Sequence, residues 1–131
     1  MNDNTRADLG KLVLRLALGL LVLLHGIAKL KGGLAGIVGM VEAAGLPGFI
    51  GYGVLVGEVL APLLVLIGAY ARVGGVLIAL NMLVAIALAH VGQLTQLNEQ
   101  GGWALELQGM FLAGAIAVAL LGPGSYGVNT K

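Results

Sequence analysis

The sequence predicts an all-α fold: a polytopic membrane four-helix bundle with a short interfacial helix between spans one and two. Three observations predict it. Of 131 residues, 59% are hydrophobic and only 10% charged, where soluble domains carry about 25% charged. Seven Lys/Arg and six Asp/Glu cannot cover a water-soluble globule of this length. The apolar residues gather into four runs, each near the ~20 residues a helix needs to cross a bilayer. A barrel would need alternating polarity and many more strands, so helices are the spanning structure. Glycine, at 23 residues, far exceeds its usual ~7% share. The glycines lie inside apolar runs without a Gly-X-Y period, which excludes collagen and linkers and suits helices packed through small residues.

The first span reads as Leu9 to Leu30. It is retained rather than cleaved as a signal peptide, since the run is long, no small-residue cleavage site follows, and Lys29 and Lys31 come next. In the connection, Leu34, Ile37, Val38 and Val41 follow helical spacing, and Gly45 with Pro47 is a stop signal. A short helix over Leu34 to Ala44, lying in the outer interface across the bundle mouth, is expected. The second span runs from Ile50 to Gly68. Pro62 cannot donate to the carbonyl of Glu58, which predicts a kink there. Ala69 to Arg72 is short, so spans two and three are expected as antiparallel neighbours. The third span is Val73 to His90 and the fourth Ala104 to Leu121. A polar stretch joins them and ends at Trp103, where an interfacial aromatic belongs. All 131 residues read as one transmembrane domain without an internal repeat. An N-in orientation places Arg6, Lys11, Arg72 and Lys131 inside and Lys29 and Lys31 outside, with both termini cytoplasmic.

A charge near the bilayer centre costs at least ~2.5–3.5 kcal/mol, so such residues pair and face the interior. Arg15, Leu18, Val22, His25 and Lys29 are spaced 3, 4, 3, 4, which places three polar residues on one face of the first span. Glu58, eight residues into the second span, lies roughly 12 Å below the outer boundary. His25, Lys29, His90 and Glu106 lie within about 8 Å of that boundary. The expected arrangement is one polar cluster in the outer half, with Glu58 at its floor. Glu58 and Glu106 are the candidate catalytic, proton-relaying groups, and His25, Lys29 and His90 the candidate ligand-binding donors. Each has a plainer reading. Lys29 serves equally as an exposed anchor, Glu106 as a cap in the first turn of its helix, and His90 as a helix terminator. Arg15 and Arg72 read as anchors at the inner interface, with Arg15 snorkelling. Asn81 is about half a turn out of phase with His90. The stripe Arg72, Ala79, Leu83, Ile86 and His90 is therefore the expected inward face, and Asn81 is expected to bond across another helix pair or a subunit interface. Gly53 and Gly57, and Gly109 and Ala113, are small-residue packing pairs.

The order Arg15 with Gly19, His25-Gly26, Lys29, Gly57-Glu58, Gly68 and Arg72 resembles the DoxX family of small membrane proteins. His90, Glu106 and the terminal Gly122-Pro123-Gly124-Ser125-Tyr126 fit the same pattern, and Gly127 departs from it where a serine is common. The resemblance, from about Leu12 to Val128, implies a four-helix inner-membrane protein. Relatives serve as subunits of a quinone-reducing sulfur oxidation enzyme or are linked to redox-stress tolerance.

Function then has three readings. One is an accessory or quinone-handling subunit of a membrane oxidoreductase, with partner subunits supplying electrons. Another is a non-enzymatic membrane protein that binds or moves a small molecule or assists assembly. The third is a haem protein with His25 and His90 as axial ligands. A net charge of +1 gives no basic surface for nucleic acid. The lack of cysteine excludes disulfides, iron–sulfur clusters and zinc thiolate sites. No metal site and no intrinsic cofactor are expected beyond a quinone. The lipid bilayer is the first partner, and homo-oligomerisation stays open.

Overall fold

In the computed structural model the described residues are all except 1, 34, 54–55, 90–94, 98, 100 and 103, together with the backbone alone of Lys29, Val56, Leu88 and Ala89. They form helices and no strand: α1 (Asp3–Gly32), α2 (Ala35–Ala43), a 3₁₀ segment (Gly48–Tyr52), a π-helical turn (Val56–Leu60), α3 (Ala61–Ile67), α4 (Ala71–Ala89) and α5 (Glu106–Leu121). Two stretches, Asp3–Gly32 and Gly48–Ile67, are long and apolar enough to cross a membrane. Ala71–Ala87 and Glu106–Leu121 are shorter apolar helices.

Each helix starts and stops where its chemistry requires. Asn2 caps α1, accepting a hydrogen bond from the Thr5 amide at 2.8 Å. Gly33, at φ 84°, ends it. α2 ends one residue before the expected Ala44, and the expected start, Leu34, is outside the described residues. Gly45, at φ 84°, follows it. The helix packs against the 3₁₀ segment and touches α4, burying Val41. Gly68, at φ 73°, closes α3, and its amide reaches Leu64 O at 3.0 Å. Pro62 stands in the first turn of α3, where a missing N–H costs least. The kink expected at Glu58 is a π turn immediately before it, which shifts the helical register by one residue.

α1 packs on the π turn, α3 and α5, while α4 packs on the π turn, α3 and α5. The core between them holds Leu18, Val22, Ala61, Val65, Ile78, Met82, Phe111, Ala115 and Val118. Glycines let backbones approach. A Cβ at Gly26 would run into the carbonyl of Glu58, and one at Gly75 would lie 2.7 Å from Ala115 O. The outer flanks are unusually apolar. Leu20, Leu24, Leu63, Val76, Leu80, Met110 and Leu120 are among many exposed large side chains. Water-soluble monomers rarely expose so many large apolar side chains.

Residues 122–131 fold back over the end of the molecule where α3 stops. Val128 N reaches Ile67 O at 3.2 Å, Asn129 N reaches Gly68 O at 3.3 Å, and Arg72 N reaches Lys131 O at 3.2 Å. Ser125 Oγ donates to Asp8 Oδ2 at 2.5 Å, bringing the start of α1 and the tail to the same end.

Candidate functional site

The π turn, rather than a charge cluster at a helix mouth, determines where the polar residues meet. Pro62 has no N–H to offer the carbonyl of Glu58, and that carbonyl lies against Gly26 of α1. The Gly26 position thus seats α1 directly on the turn. The Glu58 side chain is buried at 3% exposure. It lines a cavity of about 200 Å³ with His25 of α1, Met82 and Ala85 of α4, and Leu107, Gln108 and Phe111 of α5. All the long helices contribute to this one space. The His25 ring meets the Phe111 ring edge-to-face, with centroids 5.5 Å apart and planes at 79°, an orientation that fixes the imidazole. His25 keeps one face outward and is exposed.

The predicted site residues divide as follows. His25 and Glu58 share the cavity. Glu106 does not reach it: the residue is exposed in the first turn of α5, with its carboxylate beside Gly102. That is the position of the capping reading, where the helix N-terminus favours an acid. The Lys29 side chain and all of His90 lie outside the described residues, and with His90 goes the His25–His90 haem pairing.

Arg15 corrects an expectation. It does not snorkel. It is 1% exposed, and its guanidinium donates to Val65 O at 3.2 Å, Leu66 O at 3.4 Å and Tyr126 O at 3.3 Å. The last turn of α3 leaves carbonyls without intrahelical donors, and Arg15 supplies them while tying in the tail. Arg72 is exposed and lies against Gly122. The inward stripe expected on α4 holds only in part: Ala79 packs against the core and Ile86 is half-buried, but Arg72 and Leu83 face outward. Asn81 is buried at 9% exposure beside Ile78 and Met82, whereas Leu83 is 51% exposed. Asn81 packs against Gly57, where a Cβ would strike its side chain. That contact rotates α4 so that the Asn81 face turns inward.

Gln108 carries no charge, so neither depth nor charge balance marks it out in the sequence. Its signal was available: Gln108 and Phe111 are three apart on one helix face. Among the described residues no three His, Cys, Asp or Glu side chains group as metal ligands.

These features define a small helical membrane protein with a mixed polar and apolar cavity between its helices. The DoxX family model matches residues 10–91, and the chain belongs to that family. Over 110 residues it is 30% identical to CatD of Bacillus subtilis (strain 168), which is named as an oxidoreductase by provisional assignment. The match covers 84% of this chain and 81% of CatD. No solved structure matches the chain.

Proposed function

We propose that this protein crosses the inner membrane four times, with both termini cytoplasmic, and serves a membrane oxidoreductase system as an accessory, quinone-handling subunit. The observation that carries the reading is the cavity in which His25, Glu58 and Gln108 meet from three different helical segments. A quinone head group asks for an apolar slot, hydrogen-bond donors at its oxygens and a proton route. Phe111, Met82 and Leu107 supply the slot. His25 and Gln108 each carry a donor, and Glu58 carries the proton. Electrons come from a partner, since a chain without cysteine holds no iron–sulfur centre.

Two further observations support the membrane placement. The helices expose aliphatic side chains along their flanks. Arg72 and Lys131 meet at the end where the tail folds back, and Lys11 lies against Gly124 there. A cytoplasmic face carries such an excess of basic residues.

The test is a binding titration of the folded protein, alone and with its native partners, using a short-chain quinone. Saturable binding to wild type, weakened at least tenfold by His25→Ala and by Glu58→Gln, is expected. No saturable binding to folded wild type would remove the quinone and leave an accessory role.

A further inference from the structure

The start of α1, the start of α4 and the end of α5 meet where residues 122–131 fold back. Between them lies an open cavity of about 200 Å³, lined by Asp8, Arg72, Leu121, Pro123, Ser125 and Thr130 among others. The tail locates a charge on each side of it. The Arg72 guanidinium lies on Gly122, where a Cβ would come within 2.8 Å of Nε and 2.9 Å of Nη2. The Asp8 carboxylate lies further along the tail. Its Oδ2 accepts from Ser125 Oγ at 2.5 Å, and its Oδ1 is 3.2 Å from where a Cβ on Gly124 would stand. Among the described residues neither charge forms an ion pair, and the guanidinium makes no hydrogen bond. Two opposite charges thus share one cavity without meeting.

That arrangement selects an occupant. A lone anion drawn to Arg72 would face Asp8, and a lone cation drawn to Asp8 would face Arg72. A molecule carrying both charges answers both. Its anionic oxygens suit the guanidinium fork, and its cation must bring N–H donors for the carboxylate. A quaternary ammonium has no N–H and is bound instead by aromatic faces, and none of the residues lining this cavity is aromatic. The apolar wall shows where the molecule comes from. Leu121 lines the cavity and is itself exposed, as are the adjoining Leu120 and Val73. The cavity lies where α4 begins and α5 ends. On the membrane placement proposed above, that is the cytoplasmic edge of the hydrocarbon, where headgroups begin.

We propose that this cavity binds one phospholipid with a zwitterionic, primary-amine headgroup: phosphate on Arg72, ammonium on Asp8, and an acyl chain leaving over Leu121. The bound lipid joins α1, α4 and the tail at one end of the molecule. The inference rests on the membrane placement and not on the quinone, since the two cavities share no lining residue.

The experiment is native mass spectrometry of the full chain in detergent, where the result does not depend on which way the chain faces. The probes are dioleoyl phosphatidylethanolamine, phosphatidylcholine and phosphatidylglycerol, which share acyl chains and differ in headgroup. The ethanolamine lipid is expected to bind about tenfold more tightly than the choline lipid, the worth of one charge-assisted hydrogen bond, and more tightly than the anionic glycerol lipid. Asp8→Asn, which still accepts from Ser125, should abolish the preference for ethanolamine over choline. Arg72→Gln should weaken all three, and Lys31→Gln, at the far end of α1, should change nothing. His25→Ala should leave the order intact, so failure of the quinone reading and failure of this one are distinguishable. Equal binding of the ethanolamine and choline lipids by folded wild type would overturn the proposal, as would a preference that survives Asp8→Asn. Displacement of the lipid by an equal concentration of soluble O-phosphoethanolamine would also overturn it, assigning the cavity to a water-borne zwitterion.

Discussion

Arg15 acts in this fold as a donor to the backbone. Its guanidinium holds two carbonyls at the end of α3 and one in the tail, so removing it strands acceptors in a buried place. Each stranded group costs about 1–3 kcal/mol. Arg15→Ala is therefore expected to lower thermal stability in detergent sharply, and Arg15→Lys to recover little, since one ammonium cannot span three acceptors. Equal melting of Arg15→Lys and wild type would refute this role. Gly26 offers a cleaner comparison. A Cβ there meets the Glu58 carbonyl, while one at Gly10 meets nothing within 4 Å among the described residues. Gly26→Ala should cost about 1–3 kcal/mol through overpacking. Gly10→Ala, in the same helix, should be neutral or gain up to ~1 kcal/mol from helix propensity. Melting curves for the two variants side by side check both expectations. At this scale the sequence was readable for Glu58, whose depth and formal charge demand an interior place. It was not readable for Gly19, Gly26, Gly74 or Gly75, which sit hard against neighbouring helices, because a glycine's role depends on which backbone faces it. Of the conspicuous Gly53/Gly57 pair, Gly57 packs against Asn81 as a packing glycine should, while Gly53 meets nothing among the described residues.

Most helix boundaries were legible because they rest on local chemistry: the apolar runs, Gly45 and Pro47 at a stop, and Pro62 at the break. The start of α1 was not, since the helix begins at Asp3, capped by Asn2, six residues before the expected Leu9. Helix rotation was not legible either. An ideal α4 in phase with His90 would turn Leu83 inward, yet the Asn81–Gly57 contact leaves Leu83 exposed and Asn81 buried. The form of the break was also out of reach, since a proline predicts a disturbance without choosing between a bend and a π turn. The π turn now makes its own prediction. Pro62→Ala restores a backbone donor to the position that Glu58 O lacks, which favours continuous α-helix from the 3₁₀ segment into α3. Loss of the extra residue rotates Glu58 away from His25 and Gln108. The variant should keep its helical circular dichroism and lose at least tenfold in quinone affinity. Unchanged affinity in a folded Pro62→Ala protein would show that the turn is not what positions Glu58.

For the molecule as a whole, the tail contacts and the charge distribution bear on the same question. Ser125 to Asp8, Arg72 to Lys131 and Val128 to Ile67 place the beginning of α1, the α3–α4 turn and the C-terminal residues at one end. The Leu46 region lies at the other end of the segment that leads through the π turn to Ile67. The positive-inside rule assigns the end with Lys11, Arg72 and Lys131 to the cytoplasm. On the proposed four-span topology Lys29 and Lys31 are expected outside, with the short helix α2 and its following loop facing the external water. Because the chain has no cysteine, single cysteines can report this without background. In intact cells a membrane-impermeant maleimide should label Leu46→Cys and spare both Asn2→Cys and Lys131→Cys, and permeabilisation should expose all three. Labelling of residues 2 and 131 but not 46 in intact cells would invert the orientation and send the proton route from Glu58 to the opposite side. Residues 2 and 131 labelling differently from each other would be more damaging. It would require an odd number of crossings and overturn the four-span arrangement on which the depth of Glu58 depends.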